Sequence, residues 1–205
     1  ILLQTEVSKS YKTPAGNDAY CDNILQLVLG KDIVNERSNK IGAIQIPGAG
    51  SGLRIAGELI KNKLENNLIS IPNPTWGQQT FMFQKSGLKI KKHCYYDNIN
   101  NFLNFEEMIL DLNKLKSGDA LLLHGCCHNP TGADLNIDQW EQVAKLCKNN
   151  GIIPFIDLVY QGLGKGIDED VSGIRKLVKI VPEVIITISS SKTFGVYRDR
   201  CGLIA

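Results

Sequence analysis

Lys192 stands in a setting that can turn a lysine into a nucleophile. It follows three serines at positions 189–191, directly after an apolar run typical of a buried strand. A lysine amine in partly desolvated surroundings has a lowered pKa and can attack a carbonyl carbon. Most lysines are solvated surface residues, so Lys192 alone decides little. Arg200, eight residues later, favours an anion site close to it.

Asp157 follows a second apolar run, residues 152–156. A carboxylate at the end of a buried strand costs free energy unless it is paired. From the residues alone, Asp157 could form a structural ion pair, bind a metal ion or hold a protonated ring nitrogen, and the ion pair is the commonest case. Tyr160 lies three residues on and could place its hydroxyl in the same crevice.

The glycine-rich stretch 47–52 joins a predicted strand to a predicted helix. Glycines let the backbone approach a ligand closely, and a helix start offers unpaired N–H groups to an anion. The stretch matches neither the dinucleotide-binding nor the Walker pattern. By itself, therefore, a plain tight turn and a phosphate cradle are equally good interpretations.

The segment from His124 to His128 contains two histidines and two adjacent cysteines, as a metal site could. Adjacent cysteines after a strand cannot readily aim at one tetrahedral ion together with both histidines, and the sequence has no second Cys-x-x-Cys pair. We therefore predict packing beneath the site and no metal. Ser189-x-x-Lys192 also matches a penicillin-binding motif, but its Ser-Asp-Asn and Lys-Thr-Gly partners are missing from the sequence.

Apolar runs of strand length alternate with amphipathic stretches of helix length, which predicts an α/β fold with a mostly parallel sheet. Ligands bind at the carboxyl ends of the strands in such sheets. The polar segments described above all follow predicted strands, so we expect them to converge there. The predicted strands are residues 41–46, 68–71, 88–90, 120–123, 152–156, 184–188 and 202–205, and the predicted helices are 52–63, 78–85, 105–112, 137–148 and 174–178.

Composition narrows the class of protein. The 205 residues are 43% hydrophobic and 21% charged, and the formal net charge is +2, which argues against nucleic acid or a membrane surface as a partner. The sequence contains no run of about 18 apolar residues, so it predicts no membrane helix. The six cysteines are scattered, which is typical of free thiols in a reducing compartment. The chain starts without methionine and stops within a predicted strand, so we expect one domain of a longer protein.

Four segments together carry a family resemblance. The segment from His124 to Gly132 resembles the signature of aspartate aminotransferases, a branch of the class I pyridoxal-phosphate enzymes. Residues 73–76, 157–162 and 189–195, the last with Arg200, are similar to further family segments in the same order and spacing. The resemblance implies a three-layer α/β/α fold with a mixed sheet, the large domain of type I pyridoxal-phosphate transferases. Residues 41–205 would be that domain, incomplete and without the small domain, and residues 1–40 would add a subunit contact.

The same resemblance implies pyridoxal 5′-phosphate as the cofactor. Lys192 would hold it as a Schiff base and then move a proton, and Asp157 would keep the ring nitrogen protonated so that the ring works as an electron sink. Asn129 and Tyr160 would hydrogen-bond the phenolic oxygen, and Trp76 would stack on the ring face. Trp76 and Asn129 would also contact the substrate.

A phosphate site is implied as well. An arginine fork and helix-start N–H groups suit a dianionic phosphate. Tyr11 matches a family tyrosine that reaches the phosphate of the neighbouring subunit, which implies a homodimer with shared sites. The phosphate would be held by Gly48, Ala49, Gly50, Ser51, Ser189, Ser191 and Arg200.

Two departures from the family pattern bear on affinity. At the phosphate turn the family usually has Gly-Thr-Gly, where this chain has Ala49-Gly50-Ser51 and lacks the threonine hydroxyl. Either Ser51 supplies a hydroxyl from one position later, or the affinity for the phosphate is lower. Gln79 stands where many relatives carry a histidine near the carboxylate of Asp157. This change leaves the support of Asp157 open.

The implied reaction is transamination of L-aspartate with 2-oxoglutarate, which gives oxaloacetate and L-glutamate. The alternatives are an aminotransferase for aromatic amino acids and a non-catalytic protein that keeps the fold as a binding module. The family's substrate-binding arginines are not both visible in this sequence, so the choice of amino acid stays open. The expected partners are amino acids and 2-oxo acids, and the expected location is the cytoplasm, or an organelle if a transit peptide came first.

Overall fold

A computed structural model describes residues 8, 10, 11 and 13–205 and contains a seven-stranded sheet with helices on both faces. In chain order the strands are β1 (Ile44–Ile46), β2 (Leu68–Asn73), β3 (Lys89–Cys94), β4 (Tyr96–Asp97), β5 (Phe102–Leu103), β6 (Ala120–His124), β7 (Ile153–Leu158), β8 (Ile185–Ser189) and β9 (Gly202–Ile204). Strands β4 and β5 form a separate antiparallel ribbon.

The large sheet has the strand order β1-β9-β8-β7-β6-β2-β3. Strand β9 pairs antiparallel with both β1 and β8, and the remaining neighbours pair in parallel. The prediction of a mostly parallel, mixed sheet is confirmed. Because the strands other than β9 run in one direction, their carboxyl ends share one edge of the sheet.

Side chains that alternate along the buried strands build two cores, one on each face of the sheet. Leu121 and Leu123 of β6 face one helical layer, whereas Ala120 and Leu122 face the other. The first layer contains α1 (Asp18–Leu29), α2 (Lys31–Glu36), α5 (Phe105–Leu112), α6 (Ile137–Asn150) and α7 (Ser172–Ile180), and the second contains α3 (Ala49–Lys63) and α4 (Gly77–Lys85). The short helix α8 (Ser190–Thr193) follows β8, and two 3-10 turns occupy Ser38–Lys40 and Glu169–Val171.

Local signals set the helix ends. Asn136 and Gln139 form a reciprocal capping box at the start of α6, and Gly151 ends that helix in the left-handed conformation. Several predicted boundaries were wrong. Strand β3, predicted to end at residue 90, ends at Cys94, and helix α7, predicted over residues 174–178, covers Ser172–Ile180. Strand β1 starts at Ile44 and not at residue 41, because its three residues pair with the three of β9. Helix α3 starts at Ala49 and not at residue 52. The residue before it, Gly48, has a φ of +86°, which is not helical, so the helix begins directly after it.

Among the described helices, none combines the length and the apolar character that a membrane crossing requires. All six cysteines are free thiols.

Candidate active site

A cleft opens at the carboxyl ends of β6, β7 and β8, where the polar segments were predicted to converge. Strand pairing sets His124 beside Asp157 and sets Asp157 beside Thr187. The structure therefore brings together most of the predicted site residues. The cleft is lined by Ala49, Gly50, Trp76, Gln79, His124, Cys126, Asn129, Asp157, Val159, Tyr160, Ser189, Ser191, Lys192 and Arg200.

Lys192 sits on the single turn of α8, directly after β8. The Ser189 hydroxyl caps this turn by accepting a hydrogen bond of 3.2 Å from the backbone N–H of Ser191. The Lys192 Nζ atom lies 5.4 Å from the centre of the Tyr160 ring. The amine is thus held against an aromatic face inside the cleft.

Asp157 is buried at the end of β7 and has an incomplete set of partners. Its Oδ2 atom accepts a hydrogen bond of 2.6 Å from Gln79 Nε2, whereas Oδ1 has no partner. Burial raises the pKa of Asp157 to about 6, against the opposing effects of the Gln79 bond and the Lys192 charge. An unpartnered buried carboxylate oxygen calls for a donor that the described residues do not supply.

A chain of hydrogen bonds supports Asp157 from behind. The backbone N–H of Asn129 donates to His124 Nδ1 at 3.1 Å, so the neutral ring carries its proton on Nε2. That Nε2–H donates to Gln79 Oε1 at 3.1 Å, to which the Thr75 hydroxyl also donates. The amide of Gln79 is thereby oriented to donate to Asp157. The sequence left the support of this carboxylate open, and the structure shows that the Gln79 amide contacts it directly.

The histidine and cysteine segment, residues 124–128, packs against the cleft, and His124 and Cys126 are part of its lining. The rings of His124 and His128 stack with centroids 4.5 Å apart, and His128 stacks on Tyr95 at 4.0 Å. The backbone N–H groups of Cys127 and His128 both donate to the carboxylate of Asp134. In the part of the chain that the structure describes, no three metal-type side chains are grouped as an ion would require.

The predicted phosphate corner is formed by the start of α3 and by Arg200. Arg200 Nη1 donates to Ser191 Oγ at 3.3 Å, and a Cβ atom at Gly48 would lie 2.5 Å from Arg200 Nη2. Gly48 has a φ of +86°, so glycine is needed both for its conformation and for the close approach. Ser51 does not line the cleft, because its hydroxyl donates to the Gly48 carbonyl at 2.7 Å and closes the turn.

Three predicted residues thus lie outside the lining. Gly48 and Ser51 shape the turn behind it, and Tyr11 is fully exposed. Sequence reasoning missed three residues of the lining, namely His124, Cys126 and Val159. The available signal was the position of His124 at a strand end, which was interpreted only as packing.

A larger cavity of about 470 Å³ lies at the opposite edge of the sheet. Its lining includes Ile153 and Ile185, the first residues of β7 and β8, and Ala205, which follows β9. Its walls are mainly aliphatic side chains. The smaller cleft is the candidate active site because it joins an amine, a buried carboxylate and a guanidinium.

This chain is similar to known proteins over nearly its whole length. The family model for class I and II aminotransferases matches residues 2–205. A tyrosine aminotransferase of Rhizobium meliloti is 40% identical over 99% of this chain and 51% of its own length, and an aspartate aminotransferase of Haemophilus influenzae is 38% identical over 98% and 51%. A solved aromatic-amino-acid aminotransferase of Burkholderia pseudomallei, covalently bound to pyridoxal phosphate, superposes with a TM-score of 0.93 at 31% identity over 98% and 51% of the two chains.

The fold and the cleft define an α/β protein in which a lysine, a buried carboxylate and a guanidinium line one cleft. The chain belongs to the class I and II aminotransferase family, whose members depend on pyridoxal phosphate. It spans about half the length of the curated relatives it matches.

The buried histidines give a testable dependence of stability on pH. Burial lowers the pKa of His93 and His124 to about 3 and of His128 to about 4, from an ordinary value of 6.5. Each folded pKa is depressed, so full stability is present above pH 6.5 and is lost as the pH falls toward these values. Each histidine should lower the free energy of unfolding by about 1.4 kcal/mol per pH unit in that window. The raised pKa of Asp157 acts in the opposite direction and offsets part of the loss.

Urea unfolding of the full-length protein at about pH 7.5 and about pH 5 would measure this loss. In a His93→Gln variant the difference between the two values should shrink, because one of the three groups no longer titrates. Equal free energies at both pH values in the parent protein would show that these rings do not titrate as described.

Proposed function

We propose that the protein transfers an amino group between an L-amino acid and a 2-oxo acid with pyridoxal 5′-phosphate, and that L-aspartate and 2-oxoglutarate are its principal pair. The observation that carries the proposal is the meeting of Lys192, Asp157 and Arg200 in one cleft. These groups suit an aldehyde, a protonated ring nitrogen and a phosphate. Bound there, the cofactor supplies an electron sink for electrons released at the substrate carbon.

Asp157 has the acceptor that a protonated pyridine requires. Its Oδ1 atom is buried and unpartnered, while Oδ2 is held by Gln79. A cation placed against Oδ1 would favour the carboxylate form and lower the pKa of Asp157 from its value of about 6. Asp157 would then stay ionised at neutral pH and keep the ring nitrogen protonated.

The phosphate would bind at the start of α3. Ala49 and Gly50 open this 15-residue helix and line the cleft, so their N–H groups face an anion at the positive end of the helix dipole. The guanidinium of Arg200 closes the other side, with Ser191 beside it and Ser189 in the lining.

The remaining residues of the cleft would hold the cofactor ring, and Lys192 would move the proton. Tyr160 and Asn129 line the cleft and carry groups that can bind a phenolic oxygen. Trp76, also in the lining, would stack on the ring face and, with Asn129, would contact substrate. Lys192 Nζ would bind the cofactor aldehyde and would afterwards carry the proton that leaves the substrate α-carbon. The ring of Tyr160 near this nitrogen limits its orientations.

Aromatic amino acids are the second candidate substrates, since the Rhizobium meliloti relative at 40% identity is a tyrosine aminotransferase. The test is kcat/KM of the full-length protein for L-aspartate and for L-tyrosine, each with 2-oxoglutarate. We expect L-aspartate to be preferred. A higher kcat/KM for L-tyrosine would make the aromatic reaction the principal one.

We also propose a cytoplasmic homodimer in which Tyr11 reaches the phosphate of the partner subunit. The full exposure of the Tyr11 side chain supports this, because it leaves the ring available to another chain. A monomer in sedimentation analysis of the full-length protein would contradict the shared site.

A further inference from the structure

A hydrogen bond between Tyr20 and Ser190 connects helix α1 to the segment that carries Lys192. The proposed reaction does not use this hydrogen bond. The Tyr20 hydroxyl lies 2.7 Å from Ser190 Oγ, across 170 positions of sequence. Ser190 is only 3% exposed and lies two residues before Lys192. Burial raises the pKa of Tyr20, so the phenol stays neutral and can donate this hydrogen bond.

The far end of α1 is tied to the other side of the cleft. Gln161, the residue after Tyr160, donates from Nε2 to the Leu27 carbonyl at 3.3 Å. Arg175 donates to the carbonyls of Val28 at 2.9 Å and Leu27 at 3.0 Å. The last carbonyls of a helix have no partners within the helix, so these side chains fix its carboxyl end. Helix α1 therefore contacts the segments of both Tyr160 and Lys192.

Helix α8 depends on such contacts for its orientation. It has four residues, and one helical turn is not stable in isolation. Two backbone hydrogen bonds hold Ser190. Its N–H donates to the Cys201 carbonyl at 3.1 Å, and its carbonyl accepts from the Phe194 N–H at 3.1 Å. The Ser190 hydroxyl adds the link to α1. A shift of this turn would move Lys192 Nζ within the cleft.

We propose that Tyr20 is a positioning residue that acts through Ser190 to fix the turn of α8 and so the place of Lys192 Nζ. The inference rests on the proposed function for its catalytic consequence. Its structural part concerns the environment of one amine and can be measured without cofactor or substrate.

The test uses Tyr20→Phe, Ser190→Ala and the double variant in the full-length protein. Loss of one neutral hydrogen bond should lower kcat by about three- to tenfold and leave KM nearly unchanged. It should also shift the pH midpoint of the visible absorbance of the bound cofactor. Because the two hydroxyls act as a pair, the double variant should lose no more than Ser190→Ala alone.

A second readout follows the amine itself. Acetic anhydride labelling of the cofactor-free protein, measured by mass spectrometry, should change at Lys192 by about threefold or more in Tyr20→Phe, in line with the loss of one hydrogen bond. Labelling of the exposed Lys63 should not change. This readout separates the two hypotheses. A wild-type protein without bound cofactor contradicts the proposed function, whereas the labelling result still decides the role of Tyr20.

Val28→Ala is the matched control, since it removes buried side-chain volume from α1 and keeps both hydroxyls. It should lower Tm while kcat, the pH midpoint and Lys192 labelling stay at the wild-type values. The positioning role is overturned if Tyr20→Phe behaves like this control, or if the effects of the two single variants simply add.

Discussion

Replacing Lys192 with alanine is expected to lower kcat for transamination by about 10⁴-fold or more, at the upper end of what a positioned acid–base group contributes. The variant loses the amine that is proposed to bind the cofactor and carry the proton, and none of the other described residues that line the cleft has an equivalent amine. Asp157 and Arg200 remain in place to hold ring nitrogen and phosphate. Cofactor should therefore still bind, without a covalent bond.

Steady-state rates with saturating amino donor and 2-oxoglutarate would measure this loss in the full-length protein. Lys148→Ala, at an exposed lysine of α6, is the control and should keep the wild-type rate. Turnover of Lys192→Ala within tenfold of the wild type would remove Lys192 from its proposed role.

Asp157→Asn has the second largest expected effect. Breaking a buried charge pair by removing one partner costs about 3–5 kcal/mol, which corresponds to a loss in kcat/KM of about a hundredfold to several thousandfold. The amide keeps the shape of the side chain, but it cannot neutralise a protonated ring nitrogen. Without that proton the ring is a poorer electron sink.

The same substitution should remove a pH dependence. The folded pKa of Asp157 is about 6, so the carboxylate form that binds the cationic ring is present above this pH and is lost as the pH falls through it. Cofactor affinity should thus weaken below pH 6 in the wild type and stay flatter in Asp157→Asn. Asp119→Asn is the control. It alters another buried carboxylate, which accepts hydrogen bonds from the Asn66 side chain and the Lys116 backbone N–H, and it should keep the wild-type dependence of cofactor affinity on pH. A wild-type profile in Asp157→Asn would contradict the assignment.

Most strands and helices of the large sheet and its two layers were predictable from residue 41 onward, because they depend on local periodicity. Helices α1, α2 and α8 and the β4–β5 ribbon were not predicted. Buried runs such as residues 120–123 have strand length, and α6 carries both a capping box and a terminal glycine. The convergence of polar segments followed from one rule about the carboxyl ends of parallel strands. Strand boundaries were less predictable, since the extent of β1 depends on β9, about 160 positions away.

Contacts between distant side chains could not be predicted. The bond from Gln79 to Asp157 spans 78 positions, and its direction depends on a proton of His124 that is fixed by the backbone of Asn129. From its type alone, Gln79 left the support of Asp157 open. Ser51 was assigned to the phosphate for its hydroxyl, yet that hydroxyl closes its own turn. Such details depend on the packed geometry and not on residue type.

The central claim is that Lys192 binds pyridoxal phosphate covalently. Borohydride reduction of the full-length protein, followed by tryptic mapping, tests it most directly. We predict a visible absorption band that disappears on reduction, together with a cofactor-derived mass on the peptide of residues 180–198, which stays uncut at the modified Lys192. A protein with no such band and an unmodified Lys192 would contradict the claim and favour a non-catalytic protein with this fold.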